Sequence, residues 1–286
     1  MSLQIGKSLR NGFDRATNRN AGLLFVMFFF VSLASTIVTN TATAVAYRRL
    51  AELSKEMSEE PLPVSDWLLP SVSVPVPFEI ILVLLVLLWI ASEAVQVISD
   101  RTFISEETER LHEPTRWIGW ATLSSLAFVA FFNFLLFFYI SSVVFLGVLT
   151  PVLGLFWALI GGVGTLVLSL LLFFTRQEIA TRDVGPIEAM TGSWSLARTN
   201  EIELFGLGVV LILIEAAQRF LVLALGSVRQ LFTIVASSLL GAVALVFFSA
   251  VVAQAYRQLR LEREDDGSET TADSLDPNDE WDDPPL

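Results

Sequence analysis

Six long stretches of this sequence carry almost no charge, and a water-soluble core has no room for all of them. A helix crossing the hydrocarbon layer of a bilayer needs about 20 mostly apolar residues. Lipid offers the backbone no hydrogen-bond partner, so the helix, which satisfies its own groups, is the natural spanning form. The stretches are residues 22–46, 78–98, 120–145, 152–175, 204–225 and 231–255. The second has the unbroken apolar centre Ile80-Ile81-Leu82-Val83-Leu84-Leu85-Val86-Leu87-Leu88. The fifth is the weakest, because Glu215, Gln218 and Arg219 interrupt it. The expected fold is all-α: a polytopic membrane helix bundle of about six transmembrane helices over 1–260. An acidic tail over 261–286 follows.

Local signals refine the spans. Pro151 separates the third from the fourth and suits a helix start, where its missing N–H costs nothing. Trp67, Trp117 and Trp120 flank spans as interfacial residues do, whereas Trp89 and Trp157 are expected deeper, in packing positions. Ala44-Val45-Ala46 imitates a signal cleavage site after a basic N-terminus. The apolar region before it outruns a signal core of roughly 7–15 residues, so retention of the first span is expected. The segment 48–77 is the one sizeable external loop. Its first half, 50–60, is a candidate short helix. Its second half, with Pro61, Pro63, Pro70, Pro75 and Pro77, should be extended and irregular.

Charge orients the bundle. The chain is 53% hydrophobic and 17% charged, against about 25% charged in soluble domains. Its net charge is -12. Eleven acids against Arg263 alone after residue 261 supply nearly all of that, so the acidity belongs to the tail. Lys7, Arg10, Arg15, Arg19, Arg101, Arg110, Arg116, Arg176, Arg182, Arg198, Arg257, Arg260 and Arg263 fall on one side of the six spans. Arg48, Arg49, Lys55, Arg219 and Arg229 fall on the other. Basic residues resist translocation, so the first side is cytoplasmic, with both termini there, in a cell membrane. Arg48 and Arg49 dissent from this orientation. The tail has too little apolar content to fold. It solvates the chain or docks a basic cytoplasmic protein.

Amphipathic stretches precede the odd-numbered spans. Ile5, Leu9, Phe13 and Ala16 share one helical face before the first. Ile187, Met190, Trp194 and Ala197 do so before the fifth, behind Pro186. Ser105 is placed to cap a helix opening at Glu106-Glu107 before the third. Such helices lie in the interface with their apolar side toward acyl chains. Three repeated units follow as an expectation, each an interfacial helix and a hairpin of two spans.

The stretch 187–200, Ile-Glu-Ala-Met-Thr-Gly-Ser-Trp-Ser-Leu-Ala-Arg-Thr-Asn, resembles a known pattern. It is similar to the Ala-Leu-x-x-Ser-Trp-x-Leu-Thr-x-Gly-Asn signature of the membrane domain found beside glycerophosphoryl diester phosphodiesterases, and of related uncharacterised six-span proteins. Ala189, Ser193, Trp194, Leu196 and Asn200 carry the match, while Thr191, Gly192 and Thr199 depart from it. Residues 101–109 look like the loop of haloarchaeal uncharacterised members. Sixteen Arg against Lys7 and Lys55, an acidic exposed tail and no cysteine resemble a halophilic proteome. Over residues 5–260 the resemblance implies a six-helix membrane domain with no settled biochemical role. The soluble phosphodiesterase domain has no counterpart here.

Ionisable groups inside a bilayer are costly, which makes Glu93, Glu215 and Arg219 the candidates for a site, with Asn133 among their polar companions. Glu215 and Arg219 share a helix face and form a pair or an ion site. Asn133, in an aromatic run, suits an interhelical hydrogen bond. His112 is the single histidine and reads as a surface residue. Gly161, Gly162 and Gly164 lie inside a span, where small residues admit close helix approach and the context excludes a nucleotide loop. Ser237 and Gly241 read the same way, and either set also suits a second copy of the chain. No catalytic set, cofactor motif or thiolate metal site stands out. No basic stripe for nucleic acid does either. The expected role is a non-enzymatic scaffold or accessory component among membrane lipids. A small transporter or channel built on Glu93, Asn133, Glu215 and Arg219 is the alternative, and a lipid-metabolic enzyme is a third reading.

Overall fold

In the computed structural model, residues 3–57, 74–105, 111–112, 115–225 and 230–273 are described. These residues form helices and contain no strand. In chain order the helices are α1 (Ile5–Ala16), α2 (Arg19–Met57), α3 (Phe78–Ile104), α4 (Ile118–Leu149) and α5 (Pro151–Leu171). Then come α6 (Thr175–Arg182), α7 (Pro186–Ala197), α8 (Glu201–Leu225) and α9 (Gln230–Asp273). Six helical stretches are long and apolar enough to cross a membrane: Arg19–Ser54, Phe78–Ile104, Ile118–Leu149, Pro151–Arg182, Glu201–Ala224 and Leu231–Leu261. The protein is a multi-pass, all-α membrane bundle.

Neighbours in sequence pack as hairpins: α2 on α3, α4 on α5, α8 on α9. Helix α9 is the centre post, touching α1, α2, α3 and α8. The α4–α5 turn is tight because Thr150 is extended, Pro151 opens α5, and Gly147 and Gly154 meet backbone to backbone. A Cβ on Gly154 would lie 2.4 Å from Gly147 Cα. Farther along, Gly161 admits the Tyr139 ring, whose hydroxyl donates to the Ala158 carbonyl at 2.6 Å.

Packing is concentrated at one end. The buried clusters use Val95, Val97 and Phe103 of α3, Ala121 of α4, Leu171 of α5, Ile179 of α6 and Val251, Ala255 and Leu259 of α9. Helices α1, α6 and α7 lie at this end, here termed the basic face. Toward the far end the spans present their side chains outward: Phe137, Val144, Val148, Leu159 and Leu223 are all exposed. That is the expected surface for helices solvated by hydrocarbon, where apolar side chains gain nothing by leaving lipid for one another.

Several expectations are corrected. Helix α1 does not lay its apolar side on lipid. Ile5 and Leu9 pack against the inner cluster, and a Cβ on Gly12 would lie 2.6 Å from Val251 Cγ2, so α1 is seated on α9. Only Phe13 of its apolar set is exposed. Helix α7 keeps Ile187 and Trp194 outward but buries Ala197. Ser105 closes α3, and the helix expected to open at Glu106-Glu107 lies outside the described residues. The start of the external loop is no separate helix, because α2 propagates to Met57. Extending a formed helix costs far less than nucleating one. The rest of that loop lies outside the described residues except 74–77, which are irregular. For the same reason α9 runs past the expected tail boundary to Asp273. Trp89 and Trp157, expected in packing positions, are 41% and 42% exposed. Trp157 spends its indole N–H on Ser142 Oγ at 2.8 Å.

Candidate functional site

The ends of α3, α6 and α9 bring a layer of charged and polar side chains together at the basic face. Glu93 is buried on α3. Its two oxygens accept from Ser125 of α4 and from Arg176 at the start of α6, both at 2.7 Å. One turn on, Gln96 donates to Asp100 at 3.2 Å and to Ser249 of α9 at 2.8 Å. Glu93, Gln96 and Asp100 recur at three- and four-residue spacing, so one face of α3 carries all three.

Arg101, also buried, ties three segments. Its guanidinium donates to the Ala180 carbonyl at 2.7 Å, near the end of α6. It also donates to the Arg116 carbonyl ahead of α4 and to the Asp183 carboxylate. Asp183 terminates α6 in the left-handed conformation at φ 53°, which Asp tolerates better than most side chains. Arg116 adds a second contact to Asp183 at 3.3 Å.

Glu178 of α6 is fully enclosed. Arg182 reaches it at 3.1 Å, Tyr256 at 3.2 Å and Arg260 at 3.3 Å, the last two from α9. Tyr256 also meets the Thr181 hydroxyl at 3.2 Å. Gln254 donates to the Phe103 carbonyl at 2.7 Å, joining α9 to α3.

The stretch resembling a family signature acquires a physical role. Residues 172–174 break the helix between α5 and α6 and free backbone groups there. Ser193 of α7 repairs the break: its hydroxyl donates to the Leu171 carbonyl at 2.9 Å and accepts the Phe174 N–H at 3.0 Å. Gly192 leaves space for Glu178, whose carboxyl carbon would lie 3.0 Å from a Cβ there. Ala189 and Leu196 fill buried positions, and Trp194 faces outward. Asn200 accepts the Leu3 N–H at 3.4 Å, tying the chain's beginning to the start of α8.

The four residues expected to form an intramembrane site do not assemble. Glu93 is sealed within the layer. Asn133 faces outward and bonds the Val129 carbonyl of its own helix at 2.8 Å. Arg219 and Glu215 pair with each other at 2.6 Å, 77% and 46% exposed. Asn133 and Arg176 line a groove of about 250 Å³ that neither Glu93 nor the Glu215–Arg219 pair enters. His112 lines a cavity of about 170 Å³ with Arg101, Arg116 and Asp183. Among the described residues, no three His, Cys, Asp or Glu side chains are grouped to hold a metal ion.

Asp100, Arg101, Asp183, Glu178 and Tyr256 escaped the sequence reading. Arg101 entered it only as a loop charge that sets orientation. The one local clue was the repeat of polar residues at Glu93, Gln96 and Asp100 on a single helix face.

The motif residues therefore lock α7 under a helix break and fix the layer above it. A family model for a domain of unknown function (DUF7847) matches residues 3–259. The chain belongs to this family. The matched range takes in Leu3, whose N–H Asn200 holds, and Leu259 beside Tyr256, so it covers the six spans and the polar layer short of Arg260. Neither the curated proteins nor the solved structures yield a match.

Proposed function

We propose that this DUF7847 protein is a non-enzymatic, multi-pass component of the cell membrane that organises or supports other membrane components, with both termini cytoplasmic. The observation that carries the reading is the contrast between its two ends. At the basic face, Arg101, Arg176 and Arg260 pair with carboxylates of neighbouring segments, and Arg182 pairs with Glu178 of its own helix and with Glu188 of α7. In the span of α4, by contrast, the apolar window is 0% buried inside the chain. A rigid polar base with an outward hairpin suits a part that is packed against by others. The excess of basic residues on the face holding α1, α6 and α7 supports the orientation. The resemblance of residues 187–200 to membrane domains that accompany other modules supports an accessory role. The eleven acids after residue 261 give that segment the charge to attract a basic cytoplasmic protein.

Photocrosslinkers at Phe137 and Val144 of α4, with Phe30 of α2 as the comparison position, test this in intact membranes. A discrete protein adduct formed from α4 and not from Phe30 is expected. Adducts confined to lipid at all three positions contradict the proposal. Removing residues 262–286 is expected to release a cytoplasmic partner in affinity purification. An unchanged set of associated proteins argues against a docking tail.

A further inference from the structure

Two grooves flank the seam between α4 and the α5–α6 run. The larger, of about 720 Å³, is lined by Ala127, Phe131, Leu168, Met190 and Trp194 among others, Thr191 being its one polar residue. The smaller, of about 250 Å³, holds Arg176, Asn133 and Ser169. Phe128 and Leu172 form the wall common to both.

Arg176 is the unusual member. Its side chain is 34% exposed, while the Glu93 it pairs with is 6% exposed. The carboxylate is therefore turned inward and the guanidinium outward, into a groove on the hydrocarbon-facing flank of the bundle. A guanidinium has five N–H donors, and Glu93 accepts from Nη2 at 2.7 Å. Asn133, across the groove, gives one amide hydrogen to Val129 and has a second. The contact with Glu93 uses Nη2, and the guanidinium's other N–H donors suit an acceptor in the groove.

We propose that Arg176 and Asn133 hold the phosphate of one anionic membrane phospholipid, with a hydrocarbon chain laid along the larger groove beside Phe128 and Leu172. Charge complementarity selects the headgroup, and the apolar lining selects the chain. The site stands apart from the protein-organising role proposed above, since it needs no second polypeptide.

The test is native mass spectrometry of the full chain released from phosphatidylcholine nanodiscs doped with phosphatidylglycerol. The wild type should retain one phosphatidylglycerol. The paired variant Arg176→Gln/Glu93→Gln, which removes the Glu93 charge together with the guanidinium it pairs with, should retain it about tenfold less. Asn133→Leu touches only an outward-facing side chain and is the variant that keeps the fold, and it should also lower retention. Millimolar inorganic phosphate should not displace the lipid. Retention unchanged in Asn133→Leu and in the paired variant overturns the proposal. So does displacement by inorganic phosphate, which would make this a simple anion site.

Discussion

Arg101 reaches from α3 to the Ala180 carbonyl, the Arg116 carbonyl and the Asp183 carboxylate, so one side chain holds the end of α6 and the approach to α4. Removing one partner of a buried ion pair costs about 3–5 kcal/mol, and the lower end applies at Asp183, which Arg116 still reaches at 3.3 Å. Arg101→Ala is expected to lose that much in unfolding followed in detergent. Arg219→Gln, at an exposed pair, should lose less than about 1 kcal/mol. Ser193→Ala strands the Phe174 N–H in a buried break and should cost about 1–3 kcal/mol. Sequence reading found Glu215–Arg219 because both partners lie on one helix four residues apart. It missed Arg101–Asp183, which tertiary folding joins across 82 residues. Glu93 was found by its cost in a span, yet its partner Arg176 lies 83 residues away.

At the level of elements, the spans were legible because lipid imposes length and apolarity directly on the chain. Every expected span lies on one of the six apolar helices. Their ends were less legible, since α2, α3 and α9 run on into polar sequence that tertiary contacts or helix propagation support. The fate of α1 was hidden for a different reason. Its amphipathic pattern fits an interface equally well, and its seat on α9 is set by Gly12, which only the partner Val251 explains. Gly12→Ala is expected to loosen α1, raising hydrogen exchange over 5–16. Gly6→Ala, with nothing within 4 Å of its added carbon, should leave exchange unchanged. Equal exchange in both variants would contradict the seating.

For the whole molecule, the polar layer, the clustered packing and the outward far ends describe a bundle held at one face, with apolar side chains turned outward elsewhere. The physical basis is that lipid removes the hydrophobic drive between helices and strengthens the demand for paired charges. The central claim is that the chain crosses the bilayer six times with α1, α7 and the end of α9 on one side. The sequence contains no cysteine, so single substitutions report position without background. Gln4→Cys, Arg198→Cys and Leu261→Cys, against Val74→Cys and Thr150→Cys, would be probed in sealed vesicles with a membrane-impermeant maleimide. The first three should label together and the last two only from the opposite side. Thr150→Cys labelling from the same side as Gln4→Cys would contradict the six-crossing bundle.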